Sequence, residues 1–142
     1  MKLDPIVVHE AGHALAAHLL GGEVTGCEVF SSGGGTHSAR HVPYRKRLHL
    51  KFAGHVGVRV ALGAAAANPD MAASDLRKAV SIALRIAHRD EARAEALLLA
   101  AENEVEALLT ANKDTLLVLA ARLQQDGTLT DATVREIVGA TA

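Results

Sequence analysis

Residues 4–22 read DPIVVHEAGHALAAHLLGG and set two imidazoles and a carboxylate, His9, Glu10 and His13, into an almost wholly apolar run. Asp4-Pro5 reads as an N-cap followed by the proline favoured at the first helical position, and Gly21-Gly22 closes the same helix. Each helical residue turns ~100°, so His9 and His13 fall within ~40° of each other with their rings one turn apart. That spacing suits two imidazole nitrogens on one tetrahedral zinc. Glu10 lies ~100° round from His9, poorly placed to ligate but within reach of a water activated at the metal, and its expected role is general base. Gly12 and Ala16 are expected to flank the same face and leave room for the metal and a substrate backbone. Val7, Val8, Ala11, Ala14, Leu15 and Leu19 bury the helix on most other sides. Histidines satisfied by backbone carbonyls are the plainer alternative. Burial of three unpartnered polar groups would be costly, and that favours the metal.

Two histidines need a third protein ligand. His18 fails on geometry: nine residues beyond His9, it falls ~180° away on the opposite face. His37, His41, His49 and His55 stay open as candidates. Asp75, in "AASDLRKAV", sits early in a helix capped at Asn68 and is followed by apolar residues (Leu76, Val80, Ala83, Ala87), unlike a surface acid. An acid favoured by the helix dipole is its structural alternative.

The rest of the chain punctuates itself. "EVTGCEVF" (Glu23 to Phe30) and "THSARHV" (Thr36 to Val42) alternate as two strands of a hairpin around the flexible "SSGGG". From Tyr44 to Leu62 a helix places Leu48, Phe52, Val56 and Val60 on one stripe, and "GAAAAN" breaks it. Asn68-Pro69 opens a helix to about His88. Glu91 to Leu109 is another, with Ala94, Leu98, Ala101, Val105 and Leu108 inward and glutamates outward. Thr115 to Gln124 is shorter, and Thr130 caps a last helix, with Leu129 and Val134 as a hydrophobic staple. The expected class is mainly α (α+β), one domain over residues 1–142, with a small early β-hairpin and a C-terminal helical bundle.

Composition narrows the function. The 142 residues carry 15 basic and 16 acidic side chains, a net charge of -1, so no global field draws the chain to nucleic acid or anionic lipid. One cysteine, Cys27, excludes an intrachain disulfide and reads as a small packed side chain. No apolar run approaches the ~20 residues of a membrane span, and Asp4, His9 and Glu10 interrupt the only stretch that could lead a signal peptide. The expectation is a cytoplasmic protein with neither nucleic-acid nor membrane partners. "RHVPYRKRLHLK" gathers Arg40, Arg45, Lys46, Arg47 and Lys51 beside Tyr44. It reads first as a solvated helix start, and otherwise as a patch that steers acidic peptide segments or meets a partner subunit.

"HEAGHALAAHLLGG", the glycine-rich hairpin, "FAGHVGVRVALG", "SDLRKAVSIA" and "LLTANKDTLLVLAARLQQDGTLTDATVREIV" together resemble, in order through nearly the whole chain, the peptidase domain of the FtsH-type AAA zinc metalloproteases. The resemblance implies a helical, zincin-like metallopeptidase domain that cuts unfolded or flexible polypeptides. It implies that zinc is held by His9, His13 and Asp75 with Glu10 catalytic. It also implies that the edge strand around Gly35, Thr36, His37 and Ser38 presents itself to the substrate backbone, a general mode of peptide recognition. The chain departs from that pattern in two ways. No ATPase module or phosphate-binding loop is present, so unfolding would fall to a separate ATPase partner, and ring assembly to a homo-oligomer. Where that family carries paired acidic residues near the end of the second helix, this chain has Val58-Arg59. The competing expectation is a catalytically silent, peptidase-derived module that binds peptides along the edge strand; a zinc peptidase of another HExxH group, clipping one partner, is a third.

Overall fold

The computed structural model describes residues 2–141. Helix α1 (Pro5–Leu19) starts where the Asp4 carboxylate accepts the Ile6 amide at 3.0 Å. Every residue from Val7 to Ala17 is buried, because α1 runs through the middle of the protein with α2, α5 and the hairpin around it. Its small residues decide how close those neighbours come. A Cβ on Gly12 would stand 2.4 Å from the Ala53 carbonyl oxygen, and Gly57 faces Gly12 across the same crossing. Gly12 therefore serves contact between helices and not, as expected from the sequence, space for metal or substrate.

The hairpin is β1 (Glu23–Val29) antiparallel to β2 (Gly35–Arg40), with a register shift between Val24 and Gly26. Gly33 and Gly34, both at positive φ, make its turn. Val24 and Cys27 of β1 face the core, while Gly35, His37 and Ala39 of β2 alternate inward between exposed Thr36, Ser38 and Arg40. The far edge of β1 is taken by the loop before the last helix: Val29 donates to Gly127 and Leu129 donates to Cys27. Among the described residues the free edge of β2 has no such partner.

Helix α2 (Tyr44–Leu62) buries the expected stripe of Leu48, Phe52 and Val56, with Val60 half-buried at its end. A single 3-10 turn (Ala64–Ala66) leads to α3 (Pro69–Ile86), capped by Asn68. Here the inward face differs from expectation. Ala72, Asp75, Ala79, Ala83 and Ala87 are buried, whereas Leu76 and Val80 are 36% and 44% exposed. Alanines at that spacing let α3 lie close to α2, and the larger residues are turned outward by the same rotation.

Helix α4 (Glu91–Ala111) presents Ala94, Ala101, Val105 and Leu109 to the core, so Leu109 and not Leu108 closes the stripe. Its glutamates do more than face water: Arg59 of α2 reaches Glu102 at 3.4 Å and Glu106 at 3.5 Å, and His49 meets Glu104. Helix α5 (Lys113–Asp126) is longer than Thr115 to Gln124 at both ends and stops at Gly127, which sits in the left-handed conformation. Thr130 caps α6 (Asp131–Thr141) by accepting the Thr133 amide, with Leu129 and Val134 buried beside it. The protein is thus mainly helical with one early hairpin and a C-terminal helical region. No helix among the described residues is long and apolar enough to cross a membrane.

Candidate metal centre

The i, i+4 spacing on α1 brings the rings of His9 and His13 together, with their Nε2 atoms 3.2 Å apart. From α3, Asp75 Oδ2 completes a near-equilateral triangle, 3.1 Å from His9 Nε2 and 3.0 Å from His13 Nε2. All three residues are buried. Protons explain why this is not an ordinary hydrogen-bonded cluster. His13 Nδ1 donates to the Leu50 carbonyl at 2.9 Å, so a neutral His13 turns a bare lone pair at Nε2 toward an acceptor-only carboxylate. Burial keeps His13 neutral, lowering its pKa to about 4.

Lone pairs that converge without enough protons call for a cation. Tetrahedral zinc with bonds of ~2.0–2.1 Å spaces its ligand atoms about 3.3 Å apart, close to the triangle found here. Room for an ion is kept by Gly54 on α2, where a Cβ would come within 2.5 Å of both Nε2 atoms. The residues therefore fit a metal ion. The Leu50 carbonyl supplies the outer hydrogen bond that orients a ligating histidine. Among the described residues His9 has no counterpart to it: its Nδ1 is buried without a protein partner, and Val58 lies packed in the core.

Glu10 projects beside the triangle, with Oε1 3.8 Å from His9 Nε2. Its other oxygen, Oε2, accepts a hydrogen bond from His37 Nδ1 at 3.0 Å. The His37 ring also stacks on His13, centroids 3.6 Å apart and 13° from parallel. Gly35, next inward on β2, lies so close that a Cβ would meet the Glu10 Cγ at 2.7 Å. Behind the site, the Cys27 thiol points at the Glu10 carbonyl, and burial pushes its pKa up to about 12, which leaves it unreactive.

Of the other third-ligand candidates, His37 comes within 4.8 Å of the His13 and Asp75 ligand atoms but is engaged by Glu10, and the rest lie elsewhere. His41 is exposed at a left-handed turn, His49 pairs with Glu104, and the His55 ring packs 5.7 Å from Phe52. His18 stands outside the cluster, as its position on the helix requires. Of the four edge-strand residues, Gly35 and His37 face Glu10, while Thr36 and Ser38 lie on the exposed face. Sequence reasoning missed the Leu50 carbonyl, the space at Gly54 and the bond from His37 to Glu10. Only the last had a signal, the alternation that puts residues 35, 37 and 39 on one side of a strand.

A cleft of about 640 Å³ opens over His9, Glu10 and Asp75, between β2 on one side and α2 and α3 on the other. A buried carboxylate-imidazole triangle with a second carboxylate beside it, reached through a cleft edged by an unpaired strand, is the equipment of a metal-dependent peptidase. The chain belongs to the Peptidase M50B-like family, a metallopeptidase family, which it matches over residues 1–87. That span carries α1, the hairpin, α2 and α3, hence every residue of the triangle together with Glu10 and His37. No curated protein matches the chain.

Proposed function

We propose that this protein is a zinc-dependent endopeptidase of the HExxH type, acting on unfolded or flexible polypeptides in the manner of FtsH-type peptidase domains. The observation that carries this reading is the convergence of His9 Nε2, His13 Nε2 and Asp75 Oδ2 at 3.0–3.2 Å with the Glu10 carboxylate alongside.

His9, His13 and Asp75 would hold the ion. Zinc, when bound, supplies Lewis-acid polarisation of the scissile carbonyl and of water, and neutralises developing negative charge. Glu10 takes the proton of the attacking water and returns it to the leaving amine, a role that needs a free carboxylate oxygen. With Oε2 occupied by His37, Oε1 on the His9 side is the oxygen left to act. The free edge of β2 binds the substrate main chain as an added strand, which fixes its direction across the cleft. Strand addition needs an extended segment, so folded substrates are excluded unless a separate ATPase unfolds them.

The test is zinc per chain in extensively dialysed protein, with His9→Ala and Asp75→Ala beside wild type. About one zinc, lost in both variants, is the expected result. Glu10→Gln should keep the zinc and lose cleavage of an unstructured protein such as casein. Wild-type cleavage by Glu10→Gln sinks the assignment of the base. The open β2 edge would also serve a silent peptide-binding module, and casein bound but never cut by zinc-loaded wild type would select that reading.

A further inference from the structure

The cleft beside the metal centre carries three cations that form no ion pair among the described residues. Arg47 and Lys51 project into it from α2, one turn apart, and Lys78 from α3. Two of the three are tied to the centre by sequence neighbours. Lys51 follows Leu50, whose carbonyl orients His13, and Lys78 stands one turn beyond Asp75. Among the described residues two basic side chains of the region have acids, Arg40 with Glu23 and Arg59 with Glu102 and Glu106, and both lie outside the cleft. Arg47, Lys51 and Lys78 take part in no ion pair. The acids lining the cleft are Glu10 and Asp75, and both are engaged.

Lys51 is half-buried, and that burial, with Lys78 and then Arg47, lowers its pKa against the opposing charge of Asp75. Like charges gathered along one cleft, one of them half-buried, repel one another, and an anion joining them relieves that repulsion. The basic run of the sequence thus divides. Arg45 and Lys46 lie outside the cleft, while Arg47 and Lys51 line it together with Lys78 of α3; Lys51 is half-buried and the other two are exposed. Ile6, Val42, Leu50, Met71 and Ile82 make the apolar remainder of the cleft, suited to the stem of a side chain that ends in a charge.

We propose that Arg47, Lys51 and Lys78 form an anion subsite adjoining the metal centre, which receives a carboxylate of the bound peptide and so selects substrates with an acidic residue near the cleaved bond. This deepens the peptidase reading and rests on it for the identity of the ligand as a peptide. The same carboxylate chemistry could come from an aspartate or glutamate side chain or from a free chain end; an endopeptidase engages the former.

The experiment is calorimetric titration of the zinc-loaded full chain with short unstructured peptides of one alanine-serine-leucine background. One set carries a single glutamate at successive positions with an amidated end, a matched set carries glutamine instead, and a third carries glutamine with a free carboxyl end. We expect at least one glutamate peptide to bind about tenfold more tightly than its glutamine partner, the size of a charge-assisted contact. Lys51→Met and, separately, the exposed Lys78→Met should reduce that preference severalfold and leave the glutamine peptides within about twofold of wild type. A preference shown only by the free-end peptide would move the contact to chain ends and overturn selection by side chain. Equal affinity for glutamate and glutamine peptides, including no measurable binding of either, overturns the subsite. Failure of the peptidase reading shows differently: glutamate peptides preferred, but none cut.

Discussion

The His37 imidazole donates from Nδ1 to Glu10 Oε2 at 3.0 Å while its ring stacks on that of His13. One strand residue thereby touches both the proposed base and a proposed ligand. Because a carboxylate can only accept, the bond fixes the His37 proton on Nδ1 and pins Glu10 in one orientation. His37 is on this account a positioning residue. Replacing it with alanine should lower kcat about 10–100-fold with KM and bound zinc nearly unchanged, the range seen when outer hydrogen-bond partners are removed. His37→Gln, which can still donate, should recover part of the loss. Loss of zinc together with activity would make His37 a ligand, and an unchanged kcat would remove it from the site altogether.

Two glycines on facing helices make opposite predictions. A methyl group at Gly54 would sit within 2.5 Å of both ligand nitrogens, so Gly54→Ala should abolish zinc uptake and cost less stability than a clash with backbone, because ring edges can turn aside. A methyl group at Gly12 would press on the Ala53 carbonyl, which is backbone and cannot swing aside. Gly12→Ala should therefore lower stability by ~1–3 kcal/mol, the usual cost of overpacking. Thermal unfolding of the metal-free proteins separates the two. Equal losses of stability, or normal zinc uptake by Gly54→Ala, would contradict the assignment.

What the sequence made legible follows from how local each signal is. The His9–His13 pairing is a property of one helix turn, and the position of Glu10 beside it follows from the same rotation. Asp75 joins from 66 residues beyond His9, and no periodicity within α1 could choose it over His37 or His55. Family resemblance supplied that choice. The inward face of α3 was misread because Leu76 and Val80 outweigh alanine in hydrophobicity, while close packing against α2 rewards small size. Gly12 was misplaced for a related reason. An absent side chain signals a close approach without saying what approaches, and here it is the Ala53 carbonyl.

If the triangle holds zinc, removing the metal should be felt by the whole fold, since α1 and α3 meet through it. A ligand that binds only the folded state adds stability as its concentration exceeds Kd, about 4 kcal/mol at a thousandfold excess. Chelation should lower the Tm of wild type and leave Asp75→Ala unmoved. A Tm indifferent to chelator in wild type, at full zinc occupancy, would show that the ion does not tie the helices together.

Acid should act on the same atoms in the metal-free protein. In the folded chain His13 takes up a proton only at about 4, against the ordinary imidazole value of 6.5 in the unfolded chain. Between those values the unfolded state binds more protons, so stability rises with pH across the window and is lost as pH falls from 6.5 toward 4. The loss from this one group is on the order of 3 kcal/mol. Chemical denaturation of metal-free wild type and of His13→Asn at pH 7 and pH 4.5 tests the sign. The variant should lose much less stability than wild type between the two. Equal losses would mean that His13 is not the group that resists protonation, and the argument for a bare lone pair at its Nε2 would fall with it.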